Sequence, residues 1–76
     1  MNRTRADLAY LREVGLRMRA ARNARDWSQE LLAERADIDA ATVSKAERGI
    51  GNPTLLTIIK IARALDKRCV DFFPPG

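Results

Sequence analysis

At 76 residues with a single cysteine and no histidine, the chain has room for one modest core, cannot close an internal disulfide and lacks the usual zinc ligands. Stability must then come from close helix packing, from a second copy, or from both. The net charge of +4 favours an anionic partner. No apolar run reaches the roughly 20 residues of a membrane span and the N-terminus has no signal-peptide pattern, so the expected location is cytoplasmic, with no membrane partner.

The basic residues crowd the first third of the chain. Arg3, Arg5, Arg12, Arg17, Arg19, Arg22 and Arg25 are opposed there only by Asp7 and Glu13. Such a stripe is the footprint of a nucleic-acid binder or simply a solvated helix face, and charge alone leaves the two level. Residues 1 to about 6 read as an N-terminal arm, with Arg3 and Arg5 either idle or reaching a DNA backbone. From about Ala6 to Arg25 the residues are good helix formers, and Leu8, Leu11, Val14, Met18 and Ala21 share one face. Tyr10 and Leu16 fall off that stripe, free to cover the N-terminal extension or meet another subunit.

Ser28 is a good cap for a second helix that ends near Asp37, and Trp27 before it occupies an anchoring position. Trp27 is read as core rather than as a platform for stacking bases. Asp39 caps a third helix, Ala40 to Arg48, which Gly49 stops. The breakers Gly49, Gly51 and Pro53 make the next stretch a loop. Thr54 caps a fourth helix rich in Leu and Ile. Its β-branched content would also suit a strand, but the cap and the length of the run favour helix. Being apolar nearly all round, it is expected to be the central one. A short fifth segment, Cys69 to Phe73, stops at Pro74 and Pro75. Cys69 reads as an apolar filler. The expected fold is all-α: a compact five-helix single domain.

Segment 28–48 has the layout of a helix-turn-helix, two short helices joined by a tight turn. In its second helix Val43, Ala46 and Glu47 share one face. Ala40, Ala41, Ser44, Lys45 and Arg48 share the other, where small and basic residues suit a crowded, negatively charged groove. With Ser28-Gln29-x-x-Leu32-Ala33-Glu34, Val43-Ser44-x-x-Glu47-Arg48-Gly49, Asn52-Pro53-Thr54-Leu55 and Ile61-Ala62-x-x-Leu65 in this order and spacing, the chain resembles the lambda-repressor/Cro-like (Xre) helix-turn-helix family from about Val14 to Phe73.

The resemblance implies a role for each matching position. Ser28 and Gln29 would hold phosphate at a helix N-terminus. Ala40, Ala41, Ser44 and Lys45 would face base edges, with Lys45 the donor for guanine O6/N7. Thr42 and Arg48 would face phosphates, and Arg22 would bridge to Glu47 and be turned toward the DNA backbone. Asp26, Asp37 and Asp66 replace glycines that follow helices in the family, and aspartate tolerates the left-handed conformation such turns need. Arg68 replaces the capping serine or threonine of the last helix, which unsettles that helix's start.

The implied function is a transcriptional regulator that binds double-stranded DNA as a homodimer on palindromic sites, with recognition helices about 34 Å apart in successive major grooves. Val70, Phe72 and Phe73 are assigned partly to the dimer interface, although the phenylalanines could instead close the monomer core. Family members of this kind include restriction–modification controllers, phage-type repressors and antitoxins, with the controller slightly favoured by size. RNA polymerase is a further expected partner for an activator. The competing reading is an antitoxin-type interaction module that neutralises a toxin partner. Catalysis is not expected, since no nucleophile has a candidate base beside it, and no cofactor is implied.

Overall fold

The computed structural model describes residues 3–75. Four α-helices and a closing 3-10 turn follow one another: α1 Arg5–Asn23, α2 Gln29–Ala36, α3 Ala40–Arg48, α4 Leu55–Ala64, and the turn Cys69–Phe72. No strand occurs among the described residues.

Each helix starts where a short polar side chain accepts an otherwise unpaired N–H. Ser28 Oγ accepts from Leu31 N–H at 3.0 Å, Asp39 Oδ1 from Thr42 at 2.7 Å and Thr54 Oγ1 from Thr57 at 3.1 Å. Thr4 adds a fourth cap, outside the sequence expectation. Its hydroxyl accepts from Asp7 N–H at 3.1 Å while the Asp7 carboxylate accepts from Thr4 N–H at 3.0 Å, a reciprocal capping box. Helix α1 therefore begins at Arg5, and the expected arm to residue 6 is shorter: Arg5 and Ala6 are helical, and Met1 and Asn2 lie outside the described residues.

The turns after the helices match the reading of the aspartates. Asp26, Asp37 and Asp66 adopt φ of 57°, 58° and 55°. Gly49 closes α3 at φ 69°, and a Cβ there would lie 2.7 Å from Arg12 Cα. Gly15 allows the other close approach, because a Cβ on it would sit 2.6 Å from the Ala46 carbonyl. Helix α1 thus lies directly on the last turn of α3.

The core draws Val14 and Met18 from α1, Leu32 and Ala36 from α2, Val43 and Ala46 from α3, Ile61 from α4, and then Leu65 and Phe72. Helix α3 packs on both α1 and α2, so it, and not α4, is the central helix. Helix α4 meets the core through Ile58, Ile61 and Ala62, and its first two residues do not. Leu55 and Leu56 in its first turn are 64% and 56% exposed. An apolar run records what a helix could bury, and the neighbours decide how much of it is covered.

The expected fifth helix is also corrected, to a 3-10 turn of four residues. Arg68 supplies no side-chain cap; instead the Asp71 carboxylate accepts from Arg68 N–H at 2.9 Å. Pro74 and Pro75 then prevent growth of the turn into a helix. Phe72 is 1% exposed and fills the core, which leaves Val70 exposed and Phe73 half-buried at the surface.

Candidate nucleic-acid interface

Helices α2 and α3 are joined by Asp37, Ile38 and Asp39. The left-handed Asp37 turns the chain, and Ile38 N–H donates to the Ala33 carbonyl at 3.0 Å. Ile38 packs against the core, which fixes the angle at which α3 leaves the turn.

Helix α3 divides as its pattern implied except at Ala40. Val43, Ala46 and Glu47 are buried. On the outer side Ala41, Lys45 and Arg48 are exposed, with Thr42 and Ser44 half-buried. Ala40, expected on that side, packs against the core, because it lies two helical turns before Glu47 and shares its face. Arg48 Nε lies 3.4 Å from the Ser44 carbonyl. The outer face therefore offers two cations among small side chains, with nothing bulky to hold its backbone away from a surface. Beside it, Lys45, Thr42 and the loop from Ile50 to Thr54 line a cleft of about 240 Å³. Arg3 reaches this loop by donating to the Gly51 carbonyl.

What holds α3 in place is Glu47. Its side chain is 1% exposed, and Arg22, at 11%, grips it in a fork: Nε donates to Oε2 at 2.6 Å and Nη2 to Oε1 at 2.9 Å. Arg22 Nη1 donates to the Trp27 carbonyl at 2.7 Å, so one guanidinium joins α1, the entry to α2 and α3. Oε1 also accepts from Gln29 Nε2 at 3.1 Å and from Arg19 Nε at 3.3 Å. Burial pushes the Glu47 carboxyl up, but the hydrogen bonds and charge of Arg22, with Gln29 and Arg19, outweigh it and hold the group below its ordinary value. The Arg22 guanidinium is raised in turn, mainly by its hydrogen bond to Glu47. Asp39 is lowered by the Thr42 hydrogen bonds at its cap.

The residues singled out in the sequence are thus brought together, with two differences in posture. Arg22 is largely enclosed, and Gln29 is half-buried with one amide hydrogen committed to Glu47. Both back the outer surface more than they project from it, whereas Ser28 is exposed at the start of α2. The link from Arg19 to Glu47 escapes the sequence reading, although Arg19 lies one helical turn before Arg22 and so shares its face. Trp27 packs on the core as expected, with the guanidinium carbons of Arg25 and Arg35 at 5.1 and 5.4 Å from its ring centre. Arg25 also donates to the Leu65 carbonyl at 3.0 Å, which ties the α1–α2 turn to the end of α4. Among the described residues no helix is long and apolar enough to cross a membrane, and no group of side chains has the makings of a metal site.

The helix-turn-helix family HTH_3 matches residues 18–72. The chain is 38% identical over 64 residues to an uncharacterized HTH-type transcriptional regulator, y4dL, of Sinorhizobium fredii. That match takes in 83% of this chain and 33% of the relative, so the chain spans about a third of the relative's length. Among solved structures, the restriction-modification controller protein C.AhdI from Aeromonas hydrophila is 40% identical with a TM-score of 0.82, over 86% of this chain and 98% of that one. The hypothetical transcription factor NHTF from Neisseria is 29% identical with a TM-score of 0.82, over 100% of this chain and 87% of its own. An HTH_3 family transcriptional regulator from Vibrio cholerae is 26% identical with a TM-score of 0.79, over 87% of this chain and 37% of its own. With the match running from Met18 in α1 to Phe72, and with α2, the turn and α3 disposed as described, the chain belongs to the HTH_3 helix-turn-helix family of DNA-binding transcriptional regulators.

Proposed function

We propose that the chain regulates transcription as a homodimer on palindromic operator sites, with α3 of each subunit in the major groove. The observation that carries this reading is the division of α3. One face is locked to α1 and α2 through Glu47, and the other presents Lys45 and Arg48 among small residues. On this docking Lys45 donates to a guanine edge and Ala40, Ala41 and Ser44 bring the helix close to the bases. Ser28, Gln29, Thr42 and Arg48 meet phosphates, and Arg22 orients the assembly from behind.

A second copy would cover apolar surface that the monomer leaves open. Val70 is 55% exposed and Phe73 half-buried, and the exposed Leu55 and Leu56 enlarge the apolar area available. The near full-length likeness to the controller C.AhdI supports a controller of restriction–modification genes as the biological setting.

The test is selection from random duplex DNA by the purified protein. The expected product is a palindrome whose half-sites lie about one helical turn apart. Lys45→Ala should relax preference at one or two positions by about 1–3 kcal/mol, and Arg48→Ala should weaken all sequences alike. Val70→Glu should shift the protein toward monomer in sedimentation. Retention without sequence enrichment would refute the reading.

A further inference from the structure

Helix α1 carries cations that the helix-turn-helix does not absorb. Arg12, Leu16 and Arg19 recur at spacings of four and three and therefore share a face. Together with Glu47 and Arg48 they line a cleft of about 250 Å³ between α1 and the last turn of α3. The backbone approach of Gly49 to Arg12 brings the two helices together there.

The charge in this cleft is unbalanced. Its one carboxylate, Glu47, is already forked by Arg22 and touches only Arg19 of the three arginines lining the cleft. Neither Arg12 nor Arg48 forms an ion pair among the described residues. Cations do gather at helix C-termini to meet unpaired carbonyls. Here, however, the Ala46 and Lys45 carbonyls already accept from Gly49 and Ile50 N–H at 3.1 Å each. Among the described residues only Arg48 of the cleft's arginines reaches a backbone carbonyl, that of Ser44 at 3.4 Å, which leaves its charge unpaired. Two unpaired guanidiniums, Arg12 and Arg48, line the cleft with Arg19, which shares the single Glu47 carboxylate with Arg22, and this excess of positive charge suits an anionic partner.

We propose that this cleft grips the sugar–phosphate backbone of the bound duplex and carries the interface beyond the helix-turn-helix onto α1. Two features favour DNA over an acidic protein segment. Glu47 Oε1 receives both Gln29 and Arg19, so the cleft directly adjoins the α2 N-terminus, and Arg48 belongs to the outer face of α3. The surface is therefore continuous with the one proposed to meet DNA, and the assignment rests on that reading. Leu16, 54% exposed between the arginines, fits the apolar face of a deoxyribose.

The experiment measures affinity for the selected operator across salt, using the full chain, Arg12→Gln, Arg12→Gln/Arg19→Gln, and Arg63→Gln as an exposed cation elsewhere. Arg12→Gln breaks no ion pair, and Arg19→Gln leaves Glu47 held by Arg22 and Gln29, so the variants should melt with the wild type. For each phosphate that is no longer neutralised, the slope of log affinity against log salt should fall by about 0.9 per subunit. For Arg12→Gln the deficit against wild type should then shrink by about 3.5-fold per subunit between roughly 50 and 200 mM salt, with base preference unchanged. Arg63→Gln should keep the wild-type slope. If the α1 variants behave like Arg63→Gln while Lys45→Ala still alters preference, the clamp is refuted and the docking of α3 stands. That result would also follow if the cleft took an acidic protein segment. A wild type with no preferred sequence would overturn the docking itself.

Discussion

Replacing Glu47 by glutamine tests the element on which the geometry of α3 depends. The substitution keeps the shape of the side chain and removes its charge, leaving the Arg22 guanidinium, 11% exposed, without a counter-ion. Breaking a buried ion pair from one side costs about 3–5 kcal/mol. The lower end applies, because glutamine can still accept one hydrogen bond and Arg19, at 43% exposure, is screened and adds little. A domain of this length has a total stability of about 4–11 kcal/mol. A loss of about 3 kcal/mol should therefore lower the melting temperature by about 12–24 °C in a thermal scan followed by helix circular dichroism. The pair Arg22→Met/Glu47→Leu should recover most of that loss, since apolar residues of similar volume often replace a buried ion pair at no cost. The double variant still strips Gln29 of its acceptor, so DNA affinity should stay low although the fold is restored. A Glu47→Gln protein within about 1 kcal/mol of wild type would refute the assignment of Glu47 as the fastening point of α3.

Gly15→Ala, which would stabilise an ordinary exposed helix, should here cost about 1–3 kcal/mol in urea denaturation, because the new Cβ meets the Ala46 carbonyl; a gain in stability would place α1 farther from α3. Asp66→Gly should raise stability by roughly 0.5 kcal/mol and Asp66→Ala lower it by about 1, since φ is 55° there, and equal effects would contradict that turn. Glu47 and Asp39 have folded pKa values below their ordinary 4.5 and 3.8, so their contribution is full above those values and is lost as pH falls through the folded ones. The melting temperature should therefore decline as the pH drops below about 4.5, less steeply in Glu47→Gln, and identical slopes in the two proteins would rule Glu47 out as the source.

Local interactions are the legible part of this fold. Ser28, Asp39 and Thr54 cap through bonds to residues three positions on, and Asp26, Asp37 and Asp66 need only their own backbone angles, so each can be read from a few adjacent residues. The Thr4–Asp7 box is equally local and is hidden only when the N-terminus is read as an arm. The two faces of α3 are legible for a different reason, because a nine-residue helix with three buried positions on one side leaves little choice of orientation. Burial that depends on several elements is not legible. Leu55 and Leu56 look like core but are left exposed at the start of α4, and Phe72 looks as suited to a subunit interface as to the core it fills. At the site, the family pattern implies the Arg22–Glu47 bridge, but the inward turn of Gln29 and the part played by Arg19 depend on how closely α1 and α2 approach one carboxylate.

The division of α3 also separates what sets its position from what it would read. A helix of nine residues is too short to persist alone, so its order comes from docking Val43, Ala46 and Glu47 against α1 and α2. Ala41, Lys45 and Arg48 take no part in that docking, and surface changes of this kind alter stability by no more than about 0.5 kcal/mol. On the proposed docking, base preference can therefore be changed at these positions without altering the angle at which the helix is presented. The converse does not hold. With alanine at both 40 and 41, few direct hydrogen bonds are available, so discrimination must draw on the exact depth and tilt of the backbone and on the shape of the DNA it meets. Depth and tilt are set by the close approach at Gly15 and the Glu47 cluster. A substitution in either should blur preference at every base position together, whereas one at Lys45 should act only where its ammonium reaches.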